Sequence, residues 1–105
     1  MNCDFNVIPP FLVAICGKIY KADYHFKRGL VQYVGGSFEA ARTEFVTVLR
    51  LDPMDVDARF HLGMTLKQLG QRAKAARAFK RCLADDVEAK WAWEVQDQLD
   101  KMKNQ

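Results

Sequence analysis

The chain repeats itself. At an offset of 34, residues 22–53 fall on residues 56–87 without a gap. The identities are Asp23/Asp57, Phe26/Phe60, Gly29/Gly63, Gly36/Gly70, Ala41/Ala75, Phe45/Phe79, Leu49/Leu83 and Asp52/Asp86. Conservative matches such as Leu30 with Met64 and Val48 with Cys82 add to them. A constant period between about 20 and 50 residues marks stacked units, each burying an apolar face against its neighbour. A chain of 105 residues holds only two such units and short flanks, which excludes a two-domain enzyme.

Each unit reads as a pair of helices, so the fold class is all-α. Ala22 to Val34 has no proline, and Gly35-Gly36 supplies the left-handed geometry that ends a helix, with Ser37 placed to cap the next. The second helix runs from about Phe38 to Leu51 and is stopped by Asp52-Pro53, because proline cannot continue the hydrogen-bond ladder. Asp55 caps a third helix over Val56 to Leu69, Gly70 ends it, and Arg72 to Ala84 forms a fourth. Gly29, Gly63, Ala41 and Ala75 let paired helices approach closely, with Phe45 and Phe79 filling the space beside them.

These features resemble the tetratricopeptide repeat family. The 34-residue period, the small residue at Gly29 or Gly63, the turn glycines Gly36 and Gly70, the pairs Ala41 with Phe45 and Ala75 with Phe79, and Asp52-Pro53 match its pattern over about two thirds of the chain. The resemblance implies an α-solenoid of helix-turn-helix repeats, with repeat 1 at 22–55, repeat 2 at 56–87 and a capping helix at 88–105. The sequence departs from the family at His25 and Arg59, where a large apolar or aromatic residue is favoured. Arg72 likewise stands in place of an aromatic, and Val87 in place of the closing proline.

The flanks follow different rules. After Val87 the repeat fades, since a further shift of 34 brings Glu94 onto Phe60 and Asp97 onto Gly63. Asp86 to Lys103 reads as one terminal helix, with Trp91, Ala92, Val95, Leu99 and Met102 on a stripe facing the second repeat and Trp93 on the opposite side. At the other end, residues 1–20 form an apolar segment containing Phe5, Val7, Ile8, Phe11, Leu12 and Ile15. Pro9-Pro10 marks a helix start there; residues 11–20 extend the first repeat helix backwards, supply half of a preceding hairpin, or fill a groove. Asp4 and Ile15 disfavour a secretory signal, and the apolar run stops at Gly17-Lys18, too short for a membrane span of about 20 residues.

Catalytic chemistry finds little material. Three cysteines without CxxC spacing suggest neither a disulfide framework nor a zinc site, and fit a reducing, cytoplasmic compartment. His25 and His61 lie 36 apart, which turns them to different faces of their helices, and no nucleophile–base pair or phosphate loop can be read. The expectation is a chain that is not an enzyme, with no cofactor and no metal. A net charge of +3, with basic residues clustered only in pairs such as Lys80-Arg81, argues against nucleic acid.

Binding is the better-supported class. The family resemblance places the first helix of each repeat along a concave groove, lined by Asp23, Phe26, Lys27, Leu30, Tyr33 and Val34, then Asp57, Phe60, His61, Met64, Lys67 and Gln68. The face of the first helix expected to meet its hairpin partner carries His25, Arg28 and Gln32, which leaves the apolar residues for the groove. Family members that grip chaperone C-termini use a Lys and two Asn at positions held here by Phe26, Leu30 and His61, so that carboxylate clamp is missing. The expected partner is a protein or peptide held by apolar contact, through an adaptor or assembly role. The alternative is a self-associating scaffold, a homo-oligomer whose groove takes its own N-terminal segment or a second copy, with Trp93 as a further contact.

Overall fold

The computed structural model describes residues 10–85 and 92–103, and every regular element among them is an α-helix. These are α1 (Pro10–Val34), α2 (Phe38–Leu51), α3 (Val56–Gln68), α4 (Arg72–Asp85) and α5 (Ala92–Lys103). Each packs chiefly on its neighbour in sequence, α1 on α2, α2 on α3, α3 on α4 and α4 on α5. No described helix is long and apolar enough to cross a membrane. Phe5, Val7, Ile8 and Trp91 lie outside the described residues.

The turns show why the helices stop where they do. Gly36 and Gly70 adopt φ of 83° and 78°, the left-handed region that a side chain disfavours. Gly36 N donates to the Tyr33 carbonyl and Ser37 N to that of Gln32; 34 residues on, Gly70 N donates to Lys67 and Gln71 N to Leu66. Such bonds satisfy carbonyls left over at a helix end. Asp55 caps α3 as its position suggests, its Oδ1 accepting from Ala58 N at 3.0 Å. Ser37 does not act as expected: its side chain makes no capping bond, and only its carbonyl enters α2 by accepting from Ala41 N at 2.9 Å. With φ at −87° and ψ at 70°, Ser37 departs from the extended backbone in which a hydroxyl reaches back to the first turn.

Of the arrangements open to residues 11–20, the structure shows the backward extension: α1 is one helix of 25 residues beginning at Pro10. Proline suits that first position because the amide it lacks would have no partner there. Its partner α2 has 14 residues, so the N-terminal part of α1 runs on past the end of α2.

Close approach within each hairpin rests on one glycine and one ring. A Cβ on Gly29 would fall 2.6 Å from Phe45 Cε1, and one on Gly63 would fall 2.6 Å from Phe79 Cε1. Phe45, Phe79, Ala41 and Ala75 are fully buried. On the α3–α4 side Phe60, Leu66, Phe79 and Cys82 share a core with Val95 and Leu99 of α5, with Met64 and Met102 packed against it. Cys82 is in no disulfide, and its Sγ lies 3.8 Å from the Val56 carbonyl oxygen. The α5 stripe thus turns towards the second hairpin at Val95, Leu99 and Met102, and Trp93 stands 73% exposed.

Candidate functional site

The twelve side chains expected along one groove divide into three sets. Asp23, Lys27, Val34 and Gln68 are exposed, with Asp23 and Lys27 paired at 3.0 Å one helical turn apart. Phe26, Leu30, Tyr33, Asp57, His61, Met64 and Lys67 are half-buried. Phe60 is a correction: at 3% exposure, tilted against Phe79 at 5.9 Å, it belongs to the core shared with α5 and is closed to a ligand. A helical wheel fixes the direction a side chain takes from its own helix; it says nothing of the next element laid over it, and here α4 and α5 cover that direction.

Aromatic contacts hold three of the seven half-buried residues, Phe26, Tyr33 and His61. Phe26 meets Phe45 of α2 edge-on at 5.8 Å and His61 of α3 at 5.4 Å, so it joins three helices. His61 also stacks on Phe45 at 5.8 Å. Tyr33 packs edge-on against Phe38 at 5.3 Å, at the turn that closes the first hairpin. Lys67 Nζ donates to Gln98 Oε1 at 2.8 Å, which ties α3 to α5 and engages that end of the predicted surface.

Of the polar residues read on the hairpin side of α1, His25 and Arg28 face α2. His25 Nδ1 lies 2.6 Å from Glu44 Oε2 and Arg28 Nε lies 3.5 Å from Glu44 Oε1, so one half-buried carboxylate joins both. Arg28 Nη1 donates to the Tyr24 hydroxyl at 3.1 Å, and its guanidinium lies 5.6 Å from the centre of that ring. The Tyr24 hydrogen bond first, and the Tyr24 and Glu44 charges after it, raise the Arg28 pKa above its ordinary value. The guanidinium stays charged at any physiological pH.

One open pocket of about 480 Å³ gathers Asp23, Phe26 and Asp57 of the predicted residues. Among the described residues, Ile19, Ala22 and Leu51 add apolar walls, and Asp52 and Asp55 line it as well. It lies where the end of α2 and the start of α3 meet α1. The sequence marks Asp52 and Asp55 as a helix stop and a helix cap, and both serve locally: Asp52 Oδ1 accepts from Met54 N at 3.2 Å, Asp55 from Ala58 N. Nothing in the repeat pattern distinguishes Ile19 or Leu51, because their role depends on α1 reaching past Ala22.

Chemically the pocket offers apolar walls and carboxylates. Among the described residues no group of three or more His, Cys, Asp or Glu is placed to hold a metal ion. Compared with models of known protein families and with curated protein sequences, the chain matches none.

Proposed function

We propose that this chain is a tetratricopeptide-like solenoid module that binds a peptide or helix of a partner protein, without catalysis and without a cofactor, as an adaptor or assembly factor. The observation that carries the reading is the pocket between α1 and the α2–α3 junction, with its floor of Ile19, Ala22, Phe26 and Leu51 open to solvent. Apolar surface of this kind gains about 25 cal/mol for each Å² removed from water, so a partner's large apolar side chain seated there supplies a binding anchor. The paired turns at Gly36 and Gly70 and the paired Gly–Phe contacts support the repeat reading. A reducing, cytoplasmic setting accords with a buried thiol at Cys82.

Selection from a random dodecapeptide library tests the site, with Ala22→Trp as the discriminating variant. A tryptophan at this half-buried wall fills the pocket, so selected peptides should bind the variant at least tenfold more weakly while its helical circular dichroism is kept. Undiminished binding to the folded variant would move the site elsewhere.

A second reading, self-association, is favoured by the solvent face of α1. Tyr20, Tyr24, Val31 and Val34 are all exposed, Val31 at 71% and Val34 at 86%, and at 3.6 residues per turn they fall within about 80° of one another. Sedimentation across a concentration series separates the two readings, since only self-association makes the mass concentration-dependent.

A further inference from the structure

The second hairpin carries a charge pattern that the first does not. Lys74, Arg77, Lys80 and Arg81 are exposed on α4, and at 3.6 residues per turn they lie within about 120° of arc. Between them on that arc stand only Ala73 and Ala84, both exposed. At the equivalent positions 34 residues earlier, α2 holds Ala40, Thr43, Val46 and Thr47. The same hairpin geometry is therefore built without cations, and packing does not call for them. Lys74, Arg77 and Lys80 make no ion pair with any described residue, and α4 has no acidic residue before its last, Asp85. On α5, which packs against α4, Asp97 is paired with Lys101 and Asp100 accepts from Gln96 of the same helix.

We infer that this α4 face is a second docking surface, separate from the pocket, for an acidic amphipathic helix of a partner protein. Lys74, Arg77 and Lys80 repeat at intervals of three, a spacing that keeps neighbouring cations on one side of α4, where a helix laid alongside presents one face of carboxylates. Alanines between the cations keep the surface low enough for that helix to approach. Other polyanions fit less well. The face extends only about 10 Å along the axis, short of the six to ten phosphate contacts of a duplex-binding protein, and carries no exposed aromatic on which single-stranded bases stack. Large apolar side chains, which anchor an amphipathic surface in a bilayer, are missing from it as well.

The test compares two synthetic 21-residue peptides of one composition, in a background of Ala and Gln. One has its glutamates on a single face at i, i+4, i+7 and i+11, and the other has them spread around the helix. By fluorescence anisotropy the single-faced peptide should bind at least tenfold more tightly than its isomer, and raising salt from 50 to 300 mM should weaken it by at least tenfold. The variant K74A/R77T/K80V/R81T writes the first hairpin's own residues into the second; it should lose binding while circular dichroism reports an intact fold. The milder pair R77A/K80A, at exposed positions, should lose at least threefold and covers the case in which the fourfold variant fails to fold. Equal binding of the two peptides, or none by either, overturns the proposal. So does tighter binding of a 12-nucleotide single-stranded RNA or of phosphatidylserine vesicles. The pocket-filling Ala22→Trp variant should bind the single-faced peptide as the parent chain does, so this inference and the pocket reading fail independently.

Discussion

Gly29 and Gly63 are the positions where a single methyl group bears on hairpin closure, because each would set a carbon 2.6 Å from a phenylalanine ring that is itself fully buried. Gly63→Ala should cost about 1 to 3 kcal/mol in urea unfolding, since Phe79 has no space into which to withdraw. The opposite change, Phe45→Ala or Phe79→Ala, leaves a cavity between paired helices and should cost roughly 3 to 5 kcal/mol. Near-parental unfolding midpoints in either alanine variant would contradict the packing at that position. Phe60 behaves as these rings do: Phe60→Glu should unfold the second hairpin instead of producing a folded protein that binds poorly, because a carboxylate there has no water to solvate it. Loss of helical circular dichroism is the expected sign, and a folded Phe60→Glu variant would return that residue to the surface.

Elements differ in how far they can be read from the chain alone. The ends of α1, α2 and α3 and the start of α3 are legible because glycine, proline and aspartate act through backbone geometry, which is local: Gly36 and Gly70 take the φ that only glycine takes freely, and Asp55 caps the amide of Ala58. Burial is legible where the repeat dictates it, as at Ala41, Phe45, Ala75 and Phe79. It is not legible at Phe60 and Lys67, whose surroundings come from α5, an element outside the repeat. The pocket is hidden for the same reason, since its Ile19 wall depends on α1 continuing past the repeat boundary. The importance of α5 has a chemical readout. Cys82 is 2% exposed in a core that Val95 and Leu99 help to close, so its thiol should react slowly with a disulfide reagent in the parent protein. Val95→Asp should raise that rate at least tenfold by displacing α5, and an unchanged rate in a folded variant would show that α5 does not guard this thiol.

Helices stack in the order of the chain, which leaves α1 and α5 as the outer elements among the described residues, in a body measuring 55 × 30 × 17 Å. An outer helix of a helical stack either keeps its outward face polar or meets another surface. Here the two ends differ from such polar covers: α1 shows Tyr24, Val31 and Val34 to solvent and α5 shows Trp93. Scattered apolar side chains on a surface are ordinary, and a lone exposed tryptophan implies nothing by itself. Tryptophan nonetheless is prominent among residues that dominate interface energies. Trp93 lies on α5 away from Val95 and Leu99, so removing it leaves the core of the second hairpin intact. Trp93→Ala should therefore leave the melting temperature within about 1 °C of the parent while weakening self-association or partner binding by about 1 to 2 kcal/mol, close to tenfold. Val31→Lys on α1 makes the matching test at the other end. If both variants sediment as the parent does over the full concentration range, the ends take no part in self-association, and binding rests on the pocket and the α4 face. If only the two variants together abolish a concentration-dependent mass, each end contributes a separate contact, as expected of copies that associate through their terminal helices.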